Sequence, residues 1–98
     1  MDTFTNDVGT TLMFEDPRMR VWELKLAPGE ATAWHQHSYD YMFVVVKNGR
    51  VRVEFSDGTC EEQDDVIGAI GVREKDLPHR LVNMGPNEYF NIVIEFKR

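Results

Sequence analysis

Short extended runs, each closed by a turn signal, fill this chain from Thr10 onward, and none carries a sustained helical period. Residues 10–15 form a first short run, ended by Asp16-Pro17. In residues 19–27, Arg20, Trp22, Leu24 and Leu26 share one face, and Val21, Glu23 and Lys25 share the other. Pro28-Gly29 turns the chain, since glycine can take positive φ. Residues 32–37 read as the next strand and 38–40 as a loop. Residues 41–47 contain Met42-Phe43-Val44-Val45-Val46, apolar at every position, which predicts a strand covered on both faces. Asn48-Gly49 predicts a type I′ hairpin into residues 50–55, and Asp57-Gly58 a second hairpin into residues 59–63. Residues 66–72 and 79–84 are again extended, the latter with His79, Leu81 and Asn83 on one face. In the last run Phe90, Ile92, Ile94 and Phe96 alternate with Tyr89, Asn91, Val93 and Glu95. About nine short strands predict an all-β sandwich or barrel.

The chain of 98 residues is one domain's worth, divided here into an N-terminal arm at 1–9 and a barrel at 10–98. Such an arm can dock on a neighbouring subunit. With 42% hydrophobic and 29% charged residues the chain is not a disordered one. A net charge of −6 without a basic run argues against nucleic-acid or anionic-membrane partners. No apolar run is long enough to span a bilayer, and no signal peptide is read at the N-terminus. One cysteine, Cys60, cannot form an internal disulfide, and a cytoplasmic location is expected. The doubly apolar strand and the long final strand need cover on an outer face, from a second sheet or from a second copy. A homodimer is the expectation.

Chemistry concentrates in Trp34-His35-Gln36-His37-Ser38-Tyr39-Asp40-Tyr41. Alternate residues of a strand face one way, so His35 and His37 point together while Gln36 points away. Such a pair is half of a metal site. The third histidine of the chain, His79, lies far along the sequence, and the fold has to bring it back.

Gly29, five residues, His35-Gln36-His37 and then Gly49 resemble the first motif of the cupin superfamily, which reads Gly, five residues, His-x-His, three or four residues, Glu, six residues, Gly. His79-Arg80-Leu81-Val82-Asn83 resembles the His-x-x-x-Asn end of the second motif. The resemblance covers about residues 20 to 97, nearly the whole chain. It extends to a group of small bacterial cupins with a His-x-His-x-Tyr-Asp-Tyr run, some of them labelled for β-alanine degradation. It implies a single-domain jelly-roll β-barrel. Two departures stand out. The family's glutamate is missing: a three-residue count puts Tyr41 in its place, a four-residue count Met42. Tyr41 is favoured, because Tyr41, Phe43 and Val45 would share the interior face. The Pro-x-Gly of the second motif is also absent, and residues 72–77 are lengthened.

The resemblance implies that His35, His37 and His79 bind a divalent transition metal. Three neutral imidazoles suit Fe(II), Zn, Ni, Cu or Mn, with Fe(II) favoured. Three protein ligands leave positions open for water, dioxygen or substrate. Without the carboxylate the site is one unit more positive and favours an anionic substrate or one bound as an enolate. The expected function is an oxidoreductase, a non-haem dioxygenase acting on a small carbonyl, acid or thiol substrate. The alternatives are a metal-dependent lyase or isomerase and a non-catalytic small-molecule sensor.

Tyr41 has two chemical roles open to it, bonding to a bound ligand or acting as general acid/base, against that of a core tyrosine. Asp40 reads as a loop residue or a partner to a ligand histidine. Trp22, Trp34 and Phe43 read as core or pocket wall, and Arg80 as outward, in a salt bridge or interface. Arg20 is read as facing inward with Trp22, where it would bind a substrate carboxylate. Cys60 reads as a small buried hydrophobe. The acidic cluster Glu61, Glu62, Asp64 and Asp65 reads as a solvated strand end.

Overall fold

A computed structural model of the chain describes residues 4–75 and 77–97. It contains eight strands: β1 (Thr11–Glu15), β2 (Met19–Leu26), β3 (Tyr41–Lys47), β4 (Gly49–Phe55), β5 (Cys60–Asp65), β6 (Ile70–Arg73), β7 (His79–Asn83) and β8 (Tyr89–Phe96). They form two antiparallel sheets, one ordered β1-β2-β8-β3-β6 and the other β5-β4-β7. Opposed sheets of this kind make the jelly-roll barrel. Among the described residues no helix is long and apolar enough to cross a membrane.

The pleat of β2 follows the alternation in its sequence. Trp22, Leu24 and Leu26 are buried and join Val51, Tyr89 and Val93 in the core. Burying such side chains stabilises the fold by about 1.5–3 kcal/mol each. In β8 the odd positions Tyr89, Asn91, Val93 and Glu95 are buried, and the apolar even positions face outward. That strand is polar inside and apolar outside.

Asn48-Gly49 does not make a hairpin. β3 pairs with β6 and β8, and β4 pairs with β5 and β7, so the chain crosses from one sheet to the other at this point. Gly49 has no positive φ; it is needed because a Cβ there would stand 2.9 Å from Tyr89 Cδ1. Asn48 Oδ1 accepts a hydrogen bond from Ile67 N at 2.7 Å instead of shaping a two-residue loop. Asp57-Gly58 does make its hairpin, with Gly58 at φ 91°.

Residues 32–37 are not a continuous strand. They are tied to β7 by separate bonds, Thr32 N to Leu81 O at 2.9 Å and His35 N to His79 O at 2.9 Å. The part of the arm described here, from Phe4, lies along this segment: Thr5 N donates to Trp34 O and Gln36 N to Thr5 O. Val8 is fully buried in the core. Residues 1–3 of the proposed arm, and Asp76 of the lengthened loop, lie outside the described residues.

Candidate metal centre

His35 and His79 face each other across a two-residue antiparallel bridge, closed by His35 N to His79 O at 2.9 Å and His79 N to His35 O at 2.8 Å. The backbone that joins the segment to β7 thus brings the distant histidine to the pair. Gln36 is exposed, and His37 returns to the interior. The ring centroids lie 4.6 Å apart for His35–His79, 5.2 Å for His35–His37 and 5.1 Å for His37–His79. All three residues are buried, and one nitrogen of each falls within 4.8 Å of the others.

The surroundings select one tautomer. His35 Nδ1 lies 2.9 Å from the carbonyl of Ala33, and His79 Nδ1 lies 3.2 Å from that of Leu77, in each case two residues earlier in the chain. Each carbonyl calls for a proton on Nδ1 and leaves the lone pair on Nε2. Burial, first of all, depresses the His35 pKa to about 4; the bond to Ala33 opposes this and the neighbouring histidines add to it. The imidazole is therefore neutral at pH 7, as ligation requires.

His37 is held differently. Its ring stacks on that of Tyr41, with centroids 3.6 Å apart and planes within 9°. Its Nδ1 lies 3.7 Å from Glu95 Oε2, and neither atom has a hydrogen-bond partner among the described residues. That separation is too long for a formed hydrogen bond. It is the attraction of an N–H dipole to a carboxylate, and a small ring movement closes it. Glu95 is fully buried, with Arg20 at 2.7 Å and Trp22 Nε1 at 2.9 Å. Burial alone would raise its pKa, but His37, Trp22 and Arg20 outweigh burial and hold it below the ordinary carboxylate value. Three imidazoles with Nδ1 turned to acceptors are the arrangement that orients histidines on a metal. The donor set fits a divalent transition metal, which His35, His37 and His79 would hold.

Glu95 is the functional residue that the sequence reading missed. Its place in the inward-facing set Tyr89, Asn91, Val93 and Glu95 was legible, but not which set of β8 faces inward. Asp40, the acidic residue considered for this role, is exposed and accepts from Lys75 N at 3.1 Å. Arg20 does face the interior, but it is engaged by Glu95 and by the carbonyl of Asn6 at 2.7 Å. The Arg20–Glu95 pair cancels its own charge, so the histidine cluster still lacks a ligand carboxylate. Tyr41 lies on the interior face opposite Glu95 in register. Arg80 binds Glu54 at 2.7 Å and lies over Trp34. Cys60 is exposed rather than buried. Of the acidic cluster, Glu62 and Asp64 pair with Arg50 at the surface, whereas Asp65 is buried.

The histidines open into a cavity of about 130 Å³ inside the barrel, walled by Leu24, Phe43, Val53, Phe55, Leu81 and Val93. Arg73, Glu61 and Glu74, all exposed, also border it.

No family model matches the chain. Among curated proteins it is similar to the β-alanine degradation protein BauB of Pseudomonas aeruginosa, 26% identical over 87 residues, which cover 89% of this chain and 90% of that one. Among solved structures it resembles a cupin family protein with a double-stranded β-helix fold from Methanocaldococcus jannaschii, at TM-score 0.73 and 14% identity over 96% of this chain and 86% of the other. It also resembles a cupin domain from Bordetella pertussis, with a TM-score of 0.83, 26% identity and full coverage of both chains. Matched end to end with that domain in both fold and sequence, this protein belongs to the cupin superfamily.

Proposed function

We propose that this protein is a metal-dependent enzyme acting on a small acid, carbonyl or thiol compound, with dioxygenase chemistry as the leading reaction. One observation carries the reading: three buried histidines converge on one cavity with each Nδ1 turned to an acceptor. A divalent transition metal held there supplies Lewis acidity and, as iron, electron exchange with dioxygen. The protein's own part is to hold the imidazoles oriented and to line the cavity beside them with an apolar wall. Tyr41, stacked on His37, fixes the plane of that ring. Its phenol is our candidate for holding or moving a proton at the substrate. The relative's name, which refers to β-alanine degradation, puts short-chain acids among the first compounds to assay.

Metal analysis of untagged protein, followed by anaerobic Fe(II) loading and oxygen-uptake assays on small acids, diketones and thiols, tests this reading. Uptake with one compound class is the expected result. Zinc retained through purification with no uptake overturns the oxygenase and leaves a Lewis-acid lyase or isomerase, whose turnover Tyr41→Phe should lower without loss of metal. Binding with no turnover of any kind leaves a sensor. A protein carrying both His35→Ala and His79→Ala should hold no metal, and unchanged metal content would remove the site assignment altogether.

We also propose a homodimer through the outer face of the five-stranded sheet. Met42 lies beside Ile94 and Val72 in register, and Val44 beside Ile92 and Ile70, so the face is continuously apolar across three strands. A second copy presents the same uncharged surface and is the occupant this face fits.

A further inference from the structure

The segment that carries two of the three histidines has little backbone support of its own. Residues 34–37 lie outside the eight strands, and on one side they are tied by the pair of bonds between His35 and His79. On the other side lies Thr5, in a parallel bridge to His35. Thr5 N donates to Trp34 O at 3.2 Å, and Gln36 N donates to Thr5 O at 3.0 Å. Thr5 thus brackets His35, taking up the backbone groups before and after it. Without Thr5 those groups form an open edge.

A second contact reaches toward His37. The carbonyl of Asn6 accepts from Arg20 Nη2 at 2.7 Å, and the same nitrogen lies 2.7 Å from Glu95 Oε1. Glu95 Oε2 in turn stands behind His37 Nδ1. The arm therefore holds the arginine that holds this carboxylate. Further along, Val8 is 1% exposed and borders the histidine cavity. Gly9 lets the chain pass close against β2, since a Cβ there would stand 2.6 Å from that of Trp22. Thr10 then anchors the arm, its N and Oγ1 both donating to Glu23 O, at 2.8 and 3.0 Å.

Among residues 4–9 Val8 is the one buried side chain, and Asn6 and Asp7 are exposed. One apolar plug and a few backbone bonds stand against the entropy of ordering this stretch. Docking so closely balanced responds to a ligand that prefers the docked form. A metal on the three histidines is such a ligand, because it needs His35 and His37 where Thr5 and the Asn6–Arg20–Glu95 chain hold them. We propose that residues 5–9 are a strap coupled to the metal centre: the docked strap tightens metal binding, and bound metal keeps the strap docked. The proposal rests on the three-histidine reading, and linkage requires the two effects to be equal in size.

The test uses Zn(II) alone as the probe. Its affinity is measured by chelator competition in the wild-type protein, Thr5→Pro, Val8→Ala and Val51→Ala. Thr5→Pro removes the donor to Trp34 O, and Val8→Ala shrinks the plug; each should weaken Zn(II) about tenfold. Val51 is also buried in the core but does not border the cavity, so it controls for lost stability. Val51→Ala should lower the denaturant midpoint and leave Zn(II) affinity within about twofold. In the wild-type protein Zn(II) should slow hydrogen exchange at the Thr5 and Asp7 amides about tenfold, a readout that needs no variant to fold. The Ala69 amide, bonded in a turn to Val66 O, should keep its rate. Equal affinity in wild type, Thr5→Pro and Val8→Ala, a loss as large in Val51→Ala, or strap amides indifferent to Zn(II) overturns the strap and leaves the metal centre standing. Wild-type protein that takes up no Zn(II) overturns both.

Discussion

Glu95 is the residue that most changes the picture of the site. The carboxylate missing from the histidine motif has a counterpart on the last strand, where Glu95 Oε2 lies 3.7 Å behind His37 Nδ1. From there its charge attracts the Nδ1 side of His37. Because Arg20 lies at 2.7 Å, the carboxylate stays ionised inside the protein. Glu95→Gln preserves shape and the bond to Trp22 but removes the charge. Metal affinity should fall about 10–100-fold, as for other partners of ligand histidines. The fold should lose about 3 kcal/mol, because Arg20 is left buried without its counter-ion. Metal titration and a denaturant midpoint check the two effects separately, and wild-type values in both would mean that Glu95 only fills space.

Strands explain both what was readable in advance and what was not. The buried faces of β2 and β7 follow from simple alternation, since Trp22, Leu24 and Leu26 recur at every second position of β2, as do His79, half-buried Leu81 and Asn83 in β7. β8 alternates just as cleanly, yet alternation alone cannot say which set faces inward. Hydrophobicity suggests Phe90, Ile92, Ile94 and Phe96, whereas a barrel that needs polar groups inside and apolar cover outside takes the opposite set. Glu95 and Asn91 were hidden for that reason, whereas the histidine spacing was plain. Asn48-Gly49 misled because the same dipeptide serves a sheet-to-sheet crossing, where the glycine makes room for Tyr89. Close approach also governs β6. A Cβ on Gly71 would stand 2.3 Å from Phe43 Cε1, on the strand beside it. Gly71→Ala should therefore push Phe43 into the cavity and cost about 1–3 kcal/mol. A shift in the denaturant midpoint measures this, and an unchanged midpoint would show that Phe43 has room to turn.

The whole molecule is a barrel whose inner surface is partly polar and whose larger sheet is apolar outside. Ile70 and Val72 are 61% and 69% exposed on that sheet, so a charge there has little effect on the folding of one chain. Replacing both with lysine should turn a dimer into monomers in sedimentation, with metal content unchanged. A wild-type protein that is monomeric at all concentrations, or a variant that stays dimeric, would rule this face out as the contact. Along β8 the two surfaces interleave residue by residue: Tyr89, Asn91, Val93 and Glu95 serve the interior, and Phe90, Ile92, Ile94 and Phe96 the exterior. Side chains of consecutive strand residues point to opposite sides of a sheet and do not touch. A substitution at an even position of β8 thus remodels the outer surface of the barrel without placing a new side chain in the cavity.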